Sequence, residues 1–331
     1  MKKARILTDI GIAQSQRWVD ETIHVTELGP RVYAILNKLP DRVSAVIRPY
    51  INTLLFLKKM TRSGVVITAN IKTGQLFSAV RSMLGLKKKK HFILELMLDE
   101  ERDSKRWKIK RWLQRIIFSP VDKIFVSSSR EVKSYSERFN LPHDRFKFTY
   151  FHTNIINPQI IDVPNGYVLS AGRTGRDYRT FVESVKDLPV DVVLVSDEES
   201  IKGLKIPENV KLLIDIPYEE YLEVVEKCFL VVVPLKELVK STGQVVILEA
   251  MALGKPVVAT DTVGTRDYIV DNKNGVLVAP NDPEKMRLAI SKIIDDEAFK
   301  KQLQKNAMKF IMENCTFAKY VDAILSEANT I

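Results

Sequence analysis

The chain has 331 residues, of which 45% are hydrophobic, and this ordinary globular composition is sufficient for about two domains with large cores. No stretch reaches the ~20 apolar residues of a membrane-spanning helix, and the opening MKKARILTDIG has too short an apolar run for a signal peptide. Cys228 and Cys315 have neither metal-binding nor redox spacing. We therefore expect a protein of the reducing cytoplasm that is soluble or peripheral on the inner face of the cell membrane.

Charge is distributed unequally along the chain, whose net charge is +10. Residues 1–150 hold 30 Lys and Arg against 14 Asp and Glu, a net of +16, whereas residues 151–331 hold 21 against 27, a net of −6. This asymmetry predicts two domains with different partners. The basic first half should meet an anionic partner such as phosphate, nucleic acid or lipid head groups.

In chain order, the first half alternates apolar, strand-like runs with segments of helical periodicity. Strands are expected at 4–10, 64–70, 91–98 and 122–128. Residues 20–55 give no firm assignment.

The same alternation restarts after Pro158. Strands are expected at 166–172, 191–196, 209–215, 229–235, 255–261 and 275–280. Helices are expected at 178–188, 218–228, 244–253, 265–271 and 283–296. Uninterrupted apolar strands with helices between them indicate parallel sheets buried on both faces. Two such sheets predict an α/β fold of two Rossmann-like domains facing a cleft, with a boundary near 152–162, where periodicity is lost and Asn and Pro accumulate.

The stretch STGQVVILEAMALGKPVVATD (241–261) follows the apolar run 229–235, so its helix should begin at the ligand-binding edge of the second sheet. The free N–H groups of such a helix suit a phosphate. Gly243 would allow close backbone approach, and Ser241, Thr242 and Gln244 lie beside it. We expect these four positions to contact a phosphorylated ligand.

Glu249 is the one acidic side chain inside this apolar helix. A buried carboxylate needs hydrogen-bond donors. A pair of ribose hydroxyls would provide two, as in nucleotide-binding Rossmann sites. Alternatively, the carboxylate reaches solvent or binds a neighbouring backbone group, and the helix alone does not decide between these interpretations.

From Gly166 to about Asp296 the chain resembles the nucleotide-sugar domain of a GT-B glycosyltransferase, close to retaining family 4, the glycosyl transferases group 1. The segments that carry the resemblance, in the family's order, are LSAGRTGRDYRTFVESV, VVVPL, STGQVVILEAMALGKPVVATD and VGTRDYIVDNKNGVLVAPNDPEKMRLAI. The resemblance implies a nucleotide-diphosphate sugar, UDP- or GDP-linked, as the donor substrate, with no cofactor. It also implies domains at 1–155 and 156–313, with a C-terminal helix, 314–331, that crosses back onto the first domain.

The family's paired glutamates fall at Ser241 and Glu249. The resemblance implies that Glu249 binds the nucleotide ribose. Ser241 stands where the family carries a glutamate that approaches the transferred sugar, with Glu237 nearby as a substitute.

Three arginines follow the first strand of this domain, and the resemblance implies that they hold the diphosphate. Arg173 matches the first member of the family's basic pair, whereas Tyr178 replaces the second, with Arg176 and Arg179 beside it. Guanidinium groups grip phosphate oxygens bidentately. A solvated loop with surface ion pairs, such as Arg176 with Asp177, is the other interpretation. Pro217 is a further donor-substrate candidate, after the strand expected at 209–215.

Arginines and a helix N-terminus can stabilise a departing nucleoside diphosphate without a metal ion. The chain has no convincing DxD loop and no His/Cys cluster. We therefore predict metal-independent transfer with Arg173, Arg179 and Ser241 at the reacting centre, and the resemblance implies retention of configuration. An acceptor-side base could be Glu95 or Asp99, and the family histidine expected nearby is matched only by His91 at the strand start. Gly11, after the first strand, could contact phosphates or acceptor.

The segment KRWKIKRWLQRIIF (105–118) has six Lys and Arg and no acid. At 100° per residue, one face carries apolar residues that we expect to be core: Ile109, Trp112, Leu113, Ile116 and Ile117. The other side carries Lys108, Arg111 and Arg115 with Trp107, a pattern that suits anionic lipid head groups, together with Lys87, Lys88 and Lys89. A solvated helix with Trp107 packed on a neighbouring loop is the alternative. Because no nucleic-acid motif is present, we expect no nucleic-acid partner.

These features favour a glycosyltransferase that moves a sugar from a nucleotide donor to a glycan or lipid-linked acceptor, in cell-envelope polysaccharide or glycolipid synthesis. The alternative is a non-catalytic GT-B partner subunit at a membrane surface, which Ser241 motivates.

Overall fold

A computed structural model of the chain describes residues 6–12, 15–60, 64–86, 89–98, 104–164 and 166–330. They form two compact units, Met1–Thr149 with Val321–Ile331, and Tyr150–Tyr320. Within these described ranges no helix is both long and apolar enough to cross a bilayer.

The first unit is built on a parallel sheet with the strand order β2-β1-β3-β4-β5-β6. Its strands are β1 (Ile6–Thr8), β2 (Thr22–His24), β3 (Val65–Thr68), β4 (Lys90–Ile93), β5 (Lys123–Val126) and β6 (Phe146–Phe148). Its helices are α1 (Gln16–Glu21), α2 (Val25–Leu28), α3 (Pro30–Leu36), α4 (Asp41–Lys59), α5 (Ile71–Met83), α6 (Lys105–Phe118) and α7 (Ser129–Phe139), with a 3₁₀ turn at His143–Arg145. The helix α5 packs against both α4 and α6, and α6 packs against α7.

Local sequence explains where several of these helices begin. The side chain of Asn70 accepts hydrogen bonds from the N–H groups of Lys72 and Thr73 at the start of α5. Ser128 and Glu131 form a capping box at the start of α7. These side chains satisfy N–H groups that have no partner within the helix.

The second unit repeats the plan, with the parallel order β12-β11-β10-β7-β8-β9. Its strands are β7 (Val168–Ala171), β8 (Val192–Ser196), β9 (Val210–Ile214), β10 (Leu230–Val233), β11 (Val257–Thr260) and β12 (Val276–Val278). Its helices are α8 (Tyr178–Val185), α9 (Glu198–Ile201), α10 (Tyr218–Lys227), α11 (Gln244–Ala252), α12 (Pro283–Asp295) and α13 (Glu297–Phe310), which runs into a π-helical segment at Ile311–Cys315. The last helix, α14 (Phe317–Asn329), begins in this unit and continues in the first.

The division between the units lies at 149/150 rather than at the expected 155/156. Residues 150–155 belong to the second unit because they bond to it: the N–H of Phe151 donates to the hydroxyl of Tyr268, and the N–H of Thr153 to the carbonyl of Cys315. From Val321, α14 lies in the first unit, where Glu327 pairs with Lys123 and Lys147.

Three details differ from the sequence expectation. The strands β2 and β6 are too short to give a clear periodic signal, and neither was assigned. The segment 265–271 was expected to be a helix, but it forms turns in which the Thr265 hydroxyl donates to the carbonyl of Thr260. The strand expected at 91–98 ends at Ile93, because Glu95 has a φ of 53° that a strand does not tolerate.

Candidate functional site

The loop after β7 is folded around the side chain of Arg176. The Nε of Arg176 donates to the carbonyl of Ala171 at 2.8 Å, and its Nη1 donates to the carbonyl of Thr174 at 3.0 Å. Gly172 has a φ of 117°, and a Cβ there would meet Nη2 of Arg176 at 2.2 Å. Arg176 is 8% exposed, so it shapes this loop instead of pairing with Asp177, which caps α8 by accepting from the N–H of Thr180.

Arg173 lies in the same loop and is held over the carboxyl ends of two neighbouring strands. Its Nη2 is 2.9 Å from a carboxylate oxygen of Asp215, after β9, and its Nε is 3.9 Å from Asp197, after β8. The Arg173 side chain is 58% exposed, so its guanidinium remains accessible. Arg179 is exposed on the first turn of α8, and Tyr178 is buried there with its hydroxyl donating to the carbonyl of Gly172.

The N-terminus of α11 lies beside this loop. Gly243 is the N-cap with a φ of 93°, and a glycine has no side chain with which to cap the helix. A Cβ on Gly175 would be 3.2 Å from the Thr242 hydroxyl, so the β7 loop closely approaches the start of α11. Ser241 and Thr242 are both buried. Gln244 is buried too, and its Nε2 donates to the carbonyl of Gly264 at 3.2 Å.

Glu249 is fully buried in α11 and accepts three side-chain hydrogen bonds. The hydroxyl of Tyr218 and the Nδ2 of Asn154 donate to Oε1 at 2.7 and 3.0 Å. The hydroxyl of Tyr221 donates to Oε2 at 3.0 Å. Burial raises the pKa of Glu249, and these hydrogen bonds counteract part of that rise. The carboxylate is therefore buried away from solvent, and these three donors are side chains and not backbone groups.

Both tyrosines lie on α10, whose N-cap is Pro217, and the carbonyl of Pro217 accepts from the N–H of Tyr221 at 2.9 Å. The pKa of both Tyr218 and Tyr221 is raised, mainly by burial and next by the interaction with Glu249. Both hydroxyls therefore keep their protons. Tyr218 is 44% exposed and Asn154 is exposed too, so a ligand can reach both donors to Oε1.

In the first unit, the residues after β1 form a separate polar group. The N–H of Ala69 donates to Oδ1 of Asp9 at 2.7 Å, and burial raises the pKa of this carboxyl to about 6. Gly11 is exposed, and a Cβ there would be 3.8 Å from Nε2 of His24. Sequence reasoning missed Asp9, although an acid directly after the first strand of a parallel sheet is a usable signal.

The other acceptor-side candidates are dispersed. Glu95 is half-buried with its left-handed backbone. His91 lies within β4, fully buried, with Nε2 3.0 Å from the Thr68 hydroxyl, and burial lowers its pKa to about 3. His91 is therefore a neutral residue of the core. The acidic residues of 99–103, with Asp99 among them, lie outside the described residues, and so do Lys87 and Lys88.

The expectation for α6 was wrong about which face is buried. Four of the five residues assigned to the core are exposed: Ile109, Trp112, Leu113 and Ile116. The helix is anchored through its last turn, where Phe118 packs on Phe139 with ring centroids 5.0 Å apart and Gln114 is buried. Trp107 is half-buried beneath Lys110, whose Nζ is 4.1 Å from the ring centroid.

The basic side chains of α6 are exposed at Lys108, Arg111 and Arg115, and Lys89 is half-buried after α5.

Among the described residues, no group of three His, Cys, Asp or Glu side chains is arranged to hold a metal ion.

Comparison with known proteins adds to this geometry. Residues 194–310 match the family model of the glycosyl transferases group 1. An uncharacterized glycosyltransferase of Methanocaldococcus jannaschii is 28% identical over 144 residues, covering 40% of each chain. The D-inositol 3-phosphate glycosyltransferase of Corynebacterium urealyticum is 28% identical over 151 residues, covering 41% of this chain and 35% of the relative. The matched part thus spans less than half the length of these curated relatives.

Solved structures show how far the architecture extends. The Anabaena protein HepE, in complex with UDP-glucose, superposes with a TM-score of 0.68 at 14% identity, covering 99% of this chain and 100% of HepE. At that identity the match defines the fold and not the substrate. The chain has the GT-B fold of two Rossmann-like units, and its residues 194–310 match the family model of the glycosyl transferases group 1.

Proposed function

We propose that this protein transfers a sugar from a nucleotide diphosphate to a glycan or lipid-linked acceptor. The observation that carries the proposal is the convergence of three features at the carboxyl edge of the second sheet: the exposed guanidinium of Arg173, the α11 N-terminus that begins at Gly243, and the carboxylate of Glu249. Carboxyl edges of parallel sheets are the usual ligand-binding edges. HepE, which shares the fold, has been solved with UDP, with UDP-glucose, and with UDP and glucose.

In this site the diphosphate would lie between Arg173 and the first turn of α11, where N–H groups and a guanidinium stabilise the charge that develops on the leaving group. Such stabilisation needs no metal ion, and we propose metal-independent transfer. The exposed position of Tyr218 leads us to propose that ribose hydroxyls replace its hydroxyl on Oε1 of Glu249. Retention of configuration follows the family resemblance and completes the proposal.

The test is a thermal-shift panel with UDP, GDP, ADP, dTDP and CMP, with and without Mg²⁺. A ligand at ~100 times its dissociation constant stabilises the folded state by about 2.7 kcal/mol, which is readily measured. We expect a shift with one diphosphate, unchanged by EDTA. Proton NMR of the product would then report the anomeric configuration, and an inverted product would refute retention.

Arg173→Ala should weaken binding of the diphosphate more than binding of the nucleoside, because only the diphosphate meets the guanidinium. Arg287→Ala is a matched control, since Arg287 on α12 also pairs with acids, Glu284 and Asp187. Equal losses for nucleoside and diphosphate in Arg173→Ala would contradict the phosphate role.

A second candidate is a non-catalytic GT-B partner subunit. The observation that favours it is the burial of Ser241, which is 1% exposed at the position where the family carries a sugar-contacting glutamate. Glu237, which the sequence offered as a substitute, is exposed. A protein that binds no nucleotide in the panel, and hydrolyses no nucleotide sugar, would support this candidate over the transferase.

A further inference from the structure

The helix α6 presents an apolar stripe to solvent. Ile109, Trp112, Leu113 and Ile116 are 60%, 60%, 46% and 50% exposed. Their spacing places them on one side of the helix, as the i, i+3, i+4, i+7 pattern requires. Exposed apolar residues alone are ordinary, whereas a face of four that includes a tryptophan, on a helix whose other exposed side chains are all basic, marks an interaction surface.

The end of α5 is also apolar and exposed. Met83 and Leu84 are 85% and 60% exposed. Their neighbour Ser82 lines the same shallow groove as Trp112 and Ile116. We name this surface, formed by Met83, Leu84, Ile109, Trp112, Leu113 and Ile116, the α6 apolar face.

Positive charge surrounds the α6 apolar face. The helix carries six basic residues, all exposed, and no acid: Lys105, Arg106, Lys108, Lys110, Arg111 and Arg115. A second copy of the chain would bring these side chains against their own like charges, which disfavours a symmetric dimer through this face. An apolar stripe containing tryptophan and bordered by cations matches a bilayer with anionic head groups above hydrocarbon.

We propose that the α6 apolar face inserts into an anionic lipid leaflet, with its apolar side chains at the acyl boundary and the basic side chains at the phosphates. The surface differs from the one expected from sequence, because Trp107 packs beneath Lys110 and Trp112 takes its place. The geometry of this surface comes from the exposed side chains. Its purpose, to bring the enzyme to a lipid-linked acceptor, rests on the proposed function.

The test is sedimentation of the full chain with vesicles of phosphatidylcholine alone or with 30% phosphatidylglycerol. Wild type should bind the anionic vesicles at least ~10-fold more tightly than the neutral ones, because several basic side chains face the lipid phosphates. The variant Ile109→Ser, Trp112→Ser, Ile116→Ser should lose at least ~10-fold in binding to anionic vesicles, because it removes buried apolar area.

A matched control lies on α4, where Val46, Tyr50 and Leu54 are exposed by 60%, 58% and 62%. The variant Val46→Ser, Tyr50→Ser, Leu54→Ser should bind vesicles as wild type does. Unchanged binding of the α6 variant, equal losses in both variants, or equal binding to neutral and anionic vesicles would each overturn the proposal. So would a wild-type dimer in analytical ultracentrifugation that the α6 variant abolishes, since it would make this face a protein interface.

The same variants separate this inference from the proposed function. The α6 variant should give the wild-type nucleotide shifts, because its substitutions lie outside the second unit. Vesicle binding without any nucleotide shift would leave the lipid surface standing and refute the transferase. Nucleotide shifts without vesicle binding would support the transferase and refute the lipid surface.

Discussion

The two oxygens of the Glu249 carboxylate are not equally supported, and this asymmetry makes a graded prediction. Among the described contacts, Oε1 accepts from both Tyr218 and Asn154, whereas Oε2 accepts from Tyr221. Tyr218→Phe removes one of two donors to Oε1, and the remaining hydrogen bond from Asn154 limits the loss. Tyr221→Phe leaves Oε2 buried without a described partner.

The expected magnitudes follow from what each variant leaves unsatisfied. Loss of one hydrogen bond to a charged acceptor that keeps another partner should lower the free energy of unfolding by about 1 kcal/mol. A buried, charged oxygen without a donor should lower it by about 2–3 kcal/mol. Tyr221→Phe should therefore cost roughly twice as much as Tyr218→Phe at pH 7.5.

The assay is urea unfolding of wild type and both variants at pH 7.5 and pH 5. The pKa of Glu249 is raised in the folded state, so the cost of burying its charge is fully present at high pH and is relieved as pH falls through the folded pKa. Loss of the Tyr221 hydrogen bond should raise that pKa further, and its cost should shrink at pH 5. A larger cost for Tyr218→Phe, or a Tyr221→Phe cost that grows towards pH 5, would refute this reasoning.

Three further predictions test other parts of the molecule. Burial raises the pKa of Asp9 from 3.8 to about 6, so between these pH values the folded state retains a proton that the unfolded chain releases. The free energy of unfolding should therefore fall by up to ~3 kcal/mol as pH rises through this range. Asp9→Asn should flatten this fall in urea titrations from pH 4 to 7, and an unchanged slope would contradict the prediction. Gly243→Ala should lower the free energy of unfolding by about 1–3 kcal/mol in the same assay, because φ is 93° and the added Cβ would be 3.1 Å from Leu235 Cδ1. An unchanged free energy of unfolding would contradict this prediction and show that the start of α11 adjusts to the added methyl group. Lys255→Met should lower the free energy of unfolding by about 2–3 kcal/mol, because the buried ammonium donates at 2.7 Å to the carbonyls of Ile161 and Glu226. The control Lys202→Met replaces an exposed lysine and should change the free energy of unfolding little.

Sequence reasoning predicted the second unit well because its strands are uninterrupted apolar runs, and Leu230–Val233 is the clearest example. It located Glu249 because a lone acid in an apolar helix stands out. It could not find the partners of Glu249, since Asn154 and Tyr218 are 95 and 31 positions away in sequence and no local pattern links them.

The face of α6 shows a different limit. Periodicity correctly grouped Ile109, Trp112 and Ile116 on one side of a helix, but it does not say which side meets the core. That choice depends on Phe118, which packs the last turn against α7, and on how α5 and α7 pack against α6. Asp9 was missed because the strand was expected to run from 4 to 10, which places Asp9 inside it and not at its carboxyl end. The raised pKa of Asp9 arises only from the tertiary burial.

The segment that follows Thr149 has a practical consequence for anyone dissecting this protein. Asn154 donates to Glu249, the N–H of Gln159 to the carbonyl of Ala252, and the N–H of Ile161 to that of Leu253. This stretch reads as a linker, yet it is an integral border of α11. An expression fragment started at residue 156 would lose Asn154 and its hydrogen bond to Glu249 in the proposed nucleotide site, whereas one spanning Tyr150–Tyr320 keeps every one of these bonds.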